Sequence, residues 1–220
     1  MAVRNIMIQI LKIPESVLNK STAVFTTYNY IIANRYKRSK SIKVRYETLA
    51  EQMDINIRHV KSYVKELVDA GVIEVSEPNI KKNGLKGAVT ITLIAEDKKY
   101  AIVPQNIMLD KTIPKTYRQY YARLKRIINI NTFATFKSPV KLQQELGCKE
   151  RTYWESMNFM KNTKINGQAL ILDESNGNQY KFIMEYERFV AGNHQNIKDV
   201  KQVVRNTKRV SKDEGHSTTI

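Results

Sequence analysis

Residues 49–73 read LAEQMDINIRHVKSYVKELVDAGVI, and the fold of the chain turns on whether this stretch is one helix or two. From Val60 onward, Val60, Tyr63, Val64, Leu67 and Val68 fall at i, i+3, i+4, i+7 and i+8, the stripe of a helix packed on a core. Leu49, Ala50 and Met53 form a second stripe upstream. A single straight helix would carry Asp54, Ile55 and Asn56 between the stripes, yet Asn56 is a good N-cap and a poor helix-interior residue. The spacing therefore predicts two helices with a bend at Asp54, a residue that tolerates left-handed backbone better than most. Gly71 is suited to ending the second helix, and Val72 to Ser76 then read as a strand.

A loop, EPNIKKNGLKGA at residues 77–88, leads to a further strand in which Val89, Ile91 and Leu93 alternate with Thr90 and Thr92. Two short helices followed by a hairpin with a basic tip resemble the winged helix-turn-helix proteins, whose second helix lies in the major groove of DNA. The departure is Asp54, at a position where such proteins often have glycine. The resemblance implies base reading by Asn56, Arg58, His59, Lys61 and Ser62. It also implies backbone contacts from Arg45, Lys65 and the hairpin-tip residues Lys81, Lys82, Asn83 and Lys86. Glu66 and Asp69 are confined to the far end of the second helix, so its N-terminal half is basic where the helix dipole also favours phosphate. The alternative reading of that face is a solvated surface in a protein-interaction domain.

Charge points the same way. The 220 residues hold 37 Lys and Arg against 21 Asp and Glu, a formal net charge of +16, which favours a polyanionic partner. Double-stranded DNA is the first choice and an anionic membrane surface the second, since no apolar run approaches the roughly 20 residues of a spanning helix. The opening MAVRNIMIQILKI does not read as a secretory leader, and the single cysteine, Cys148, excludes an intrachain disulfide and any multi-cysteine zinc site. A cytoplasmic location is expected.

The segment before the motif is repeated. KIPESVLNKSTA at 12–23 is echoed by IVPQNIMLDKTI at 102–113, which aligns Pro14 with Pro104, Val17 with Ile107 and Leu18 with Met108. Each copy continues into a Tyr-rich basic helix. The second motif is LQQELGCKERTYWESMNFM at 142–160, where Leu142, Leu146, Gly147 and Cys148 match Leu49, Met53, Asp54 and Ile55. Tyr153, Met157 and Met160 repeat the apolar stripe, and β-prone runs at 169–172 and 179–186 flank the turn signal Asn176-Gly177. The expected fold is α+β, two tandem winged-helix domains at 1–96 and 97–189, with a basic, mobile tail at 190–220.

The copies differ in charge. The second candidate reading helix offers Lys149, Arg151, Thr152 and Trp154 to DNA, but also Glu150 and Glu155. Residues 111–144 hold eight Lys or Arg and no acid, so the second domain is still expected to be cationic. Residues 35–45, RYKRSKSIKVR, read either as a phosphate-contacting ridge or as a solvated face. Trp154 is suited to stacking on a base or filling an interface, and Cys148 to a buried core position.

Catalysis is not expected. No two glycines have P-loop spacing, His59, His194 and His216 are isolated, and no Ser or Cys nucleophile comes with a recognisable base. No cofactor or metal is called for. Over residues 13–187, the tandem motifs and their φ-Pro-x-x-φ-φ opening resemble replication initiators of plasmids and phages from low-G+C bacteria. That resemblance implies binding to repeated origin sites, recruitment of host replication proteins and homodimerisation through one domain. A transcription regulator on an operator is the alternative, and an architectural or assembly protein the third reading.

Overall fold

A computed structural model describes residues 9–35, 39–78, 87–94, 99–177 and 179–192. The first copy runs β1 (Ile10–Pro14), α1 (Glu15–Leu18), α2 (Thr22–Ala33), β2 (Ser41–Val44), α3 (Tyr46–Met53), α4 (Ile57–Asp69), β3 (Ile73–Val75) and β4 (Val89–Leu93). The second runs β5 (Tyr100–Pro104), α5 (Gln105–Leu109), α6 (Lys115–Ile127), β6 (Ala134–Thr135), α7 (Pro139–Leu146) and α8 (Glu150–Asn162). It ends in β7 (Lys164–Ile165), β8 (Gln168–Ala169), β9 (Leu172–Asp173) and β10 (Phe182–Ile183). Helical residues 185–192, here α9, follow. The architecture is α+β with small antiparallel sheets.

Helix α2 is the centre of the first copy. Ser21 caps it by accepting from the Val24 amide, and every residue from Val24 to Ile32 is buried. A helix covered on all sides must be wrapped by others, and α1, α3, α4 and α6 all pack against it. Alternation builds the strands around it: Ile42 and Val44 of β2 are buried while Lys43 faces out, and Val89 and Ile91 of β4 are buried. The sheet order is β2-β4-β3, with Ile91 opposite both Ile42 and Val75.

The same order recurs in the second copy, where β6-β10-β9 again places the last strand in the middle. The helices also correspond: α3 and α7 are eight residues each, and α4 and α8 thirteen. Both short helices end in left-handed backbone, Asp54 at φ 55° and Gly147 at φ 63°. The β-prone run expected to reach Tyr186 instead stops at Ile183. Met184, between strand and helix, is buried, and Tyr186 and Glu187 are buried from helical backbone that begins at residue 185.

The first strands of the copies pair with each other. β1 and β5 run antiparallel from Ile10↔Pro104 to Pro14↔Tyr100, so Lys12 faces Ile102, its own counterpart in the repeat. A local two-fold axis passes between them. Leu11, Ile13, Ala101 and Val103 point into the core, and the Lys12 ammonium lies 3.7 Å from the Tyr100 ring centroid on the outer face.

This pairing makes the packing cut the chain differently from the repeat boundary between 96 and 97. One compact unit comprises residues 1–128 and 138–159, and the other residues 129–137 and 160–220. Helices α1 to α7 and most of α8 thus share the first unit, and the β6-β10-β9 sheet and α9 lie in the second. The tail beyond residue 192 lies outside the described residues.

Candidate nucleic-acid interface

The turn between α3 and α4 is built by two side chains. Asp54 takes φ 55° and ψ 53°, closing α3 with its amide directed at the Ala50 and Glu51 carbonyls. Two residues on, the Asn56 carboxamide oxygen accepts from the Arg58 amide at 2.8 Å, satisfying one of the orphan donors at the start of α4. Asn56 is therefore a cap whose oxygen is already engaged, and only its amide nitrogen faces outward for other work.

Val60, Val64 and Leu67 seat α4 on the core. Tyr63 is half-buried, and Val68, expected within the stripe, is exposed because the seated arc is narrow. The opposite face holds Arg58, Lys61, Ser62 and Lys65, all exposed, at i, i+3, i+4 and i+7. Among the described residues no carboxylate pairs with Arg58, Lys61 or Lys65. His59 is also exposed and stacks on Tyr63, with ring centroids 6.0 Å apart. The result is a row of three unpaired cations spanning about 10 Å of helix.

The remaining first-copy residues are spread out. Lys43 and Arg45 are exposed at the end of β2 and the start of α3. Arg45 is the N-cap residue of α3, at the opposite end of that helix from the turn. Lys81, Lys82, Asn83 and Lys86 lie outside the described residues, as do residues 36–38 of the basic 35–45 run.

In α8, Arg151 occupies the position of Arg58 and Glu155 that of Ser62. Glu155 takes the arginine: the Arg151 Nε to Glu155 Oε1 distance is 2.7 Å, one turn apart on an exposed face. Lys149 is exposed. Thr152 is half-buried, its carbonyl accepting from the Ser156 hydroxyl at 2.7 Å. Trp154 is 40% exposed and meets Tyr153 edge-on at 5.0 Å. The second helix thus presents an aromatic ring and a self-neutralised pair where the first presents free cations. Cys148 is half-buried and not fully enclosed, and burial pushes its thiol up while the nearby Arg123 partly opposes this. Such a thiol is a poor nucleophile.

Not all of the basic residues at 111–144 face solvent. Arg118 is buried and donates through Nη1 to the Met108 carbonyl at 2.6 Å. Arg123 is half-buried and donates to the carbonyls of Leu18 and Leu146. Both are among the eight basic residues of that run. Gln119, Arg123 and Arg126 share one row of α6, and all three bond to other parts of the chain.

Among the described residues no group of three or more His, Cys, Asp or Glu side chains is placed to hold a metal ion, and no helix is long and apolar enough to cross a membrane. No protein-family model matches the chain, and no curated protein sequence matches it.

Proposed function

We propose that the two copies are winged helix-turn-helix modules and that the protein binds double-stranded DNA in a sequence-specific way, with α4 as the principal reading helix. The observation that carries this is the unpaired row Arg58, Lys61 and Lys65 on a capped helix held by a left-handed turn. Arginine and lysine donors on such a face serve guanine edges and phosphates. The net charge of +16 supplies the long-range attraction. The sheet order β2-β4-β3, repeated as β6-β10-β9, is compatible with a helix-turn-helix followed by a hairpin wing and supports this reading.

Within that class, the reading is a replication initiator that acts in the cytoplasm on repeated origin sites, recruits host replication proteins and forms a homodimer. It needs neither catalysis nor cofactor. Duplexes from a fragment library of the source genome, retained by the purified protein at physiological salt and sequenced, test this directly. Clustered direct repeats beside an A·T-rich tract are the expected result. A single inverted repeat over a promoter replaces the initiator by a transcription regulator, and salt-sensitive retention without sequence preference removes specific DNA reading altogether.

A further inference from the structure

The first unit is held together along one face of α6. Gln119, Arg123 and Arg126 fall at i, i+4 and i+7, a single row on the helix. Gln119 donates through Nε2 to the carbonyls of Leu18 at 3.0 Å and Lys20 at 2.8 Å, and its oxygen accepts from the Thr22 hydroxyl at 2.7 Å. Arg126 forms an ion pair with Glu15. All of these partners belong to the first copy.

Arg123 alone also reaches beyond it. Nε donates to the Leu18 carbonyl at 2.8 Å and Nη1 to the Leu146 carbonyl at 3.0 Å. Leu18 closes α1 and Leu146 closes α7, so both acceptors are C-terminal helix carbonyls, which lack full helical partners and carry partial negative charge. The planar guanidinium holds its donors at fixed angles, and a lysine ammonium on one flexible stem lacks that fork. Leu146 also directly precedes the left-handed Gly147, three residues before α8 begins at the next turn.

We propose that Arg123 is a positioning residue: by joining the end of α1 to the end of α7 it fixes α8 against the first copy, so that α4 and α8 act as one body. Its consequence for DNA rests on the function proposed above. Two reading elements in fixed geometry gain from each other on a composite site, and that gain is lost when the link loosens.

The first arm of the test needs no DNA. On a Cys148→Ala background, spin labels at Glu66→Cys in α4 and Glu150→Cys in α8, both exposed positions, report the α4 to α8 distance by pulsed electron resonance. A narrow distribution is expected for the otherwise unchanged chain, and a broadened one for Arg123→Met and for Arg123→Lys, the lysine variant serving alone if the methionine variant does not fold. Gln119→Met leaves the link to α7 intact and should stay narrow. Unchanged distributions in both Arg123 variants overturn the proposal, as does equal broadening by Gln119→Met.

The second arm uses the site retained by the unmodified protein and the same site with the α8 half randomised. The Arg123 variants should lose about tenfold in affinity on the intact site, the size of one charge-assisted hydrogen bond, and nothing on the half-randomised one. Equal losses on both overturn the coupling. If the unmodified protein retains no specific site, the proposed function fails while the distance measurement still decides the role of Arg123.

Discussion

Arg58 and Arg151 stand at the same position of one repeated motif, and a single neighbour separates their fates. Beside Arg58 the helix offers Ser62, and beside Arg151 it offers Glu155, which holds the guanidinium at 2.7 Å. Replacing Arg58 by Ala should therefore cost about 1–3 kcal/mol on the specific site and little on random DNA, as competition binding would show. A second residue-scale effect concerns stability. Asn29 lies 1% exposed in the middle of α2, and neither atom of its carboxamide has a hydrogen-bond partner among the described residues. Asn29→Leu keeps the shape and removes the orphan polar group, so urea denaturation should show a gain of about 1–3 kcal/mol. Sequence revealed the left-handed role of Asp54 and the cap at Asn56 because both are local backbone chemistry. It did not reveal Asn29, because an asparagine inside an apolar helix declares neither its burial nor its lack of partners.

At the scale of elements, α4 was legible because its apolar stripe and its basic face have opposite phases on the same 3.6-residue period. α8 carries a similar stripe, and its pattern gave Tyr153, Met157 and Met160 as buried, as they are. What composition hid was pairing within its exposed face. Changing Glu155 to Ser would give α8 the neighbour that α4 has and free Arg151. The slope of log affinity against log salt should then steepen by roughly 1, measured across a salt titration. An unchanged slope would place α8 away from the phosphates. In the first copy, changing Lys81 and Lys82 together to Ala should reduce the slope by roughly 2, and no reduction would remove these two lysines from the proposed DNA contacts. α6 was the least legible helix. Its basic residues read only as part of a cationic domain, whereas Arg118, Gln119 and Arg123 each donate to carbonyls of their own chain.

For the whole molecule, the duplication was visible in KIPESVL and IVPQNIM, but the pairing of the duplicated strands was not. Antiparallel partners 90 residues apart leave no mark in local periodicity. The division at 96/97 consequently separates β1 from its only paired neighbour in the two-stranded sheet. Fragments 1–96 and 97–220 expressed apart should each be unstable, the first with β1 deprived of its partner strand and α2 of its packing on α6, and should reassociate when mixed. Co-purification and circular dichroism of the mixture against the separate fragments would show this. Two independently folded fragments would contradict it.

The symmetric β1–β5 ribbon also sets a clock on biosynthesis. An apolar strand made early in translation meets its partner only after the ninety residues from Pro14 to Pro104 have been added, a wait of roughly 5–20 s at ordinary rates of synthesis. During that interval nascent β1 has α1 and α2 to pack on but lacks its hydrogen-bonding partner strand. The ribosome-bound first copy is thus an incomplete fold that depends on the arrival of the second.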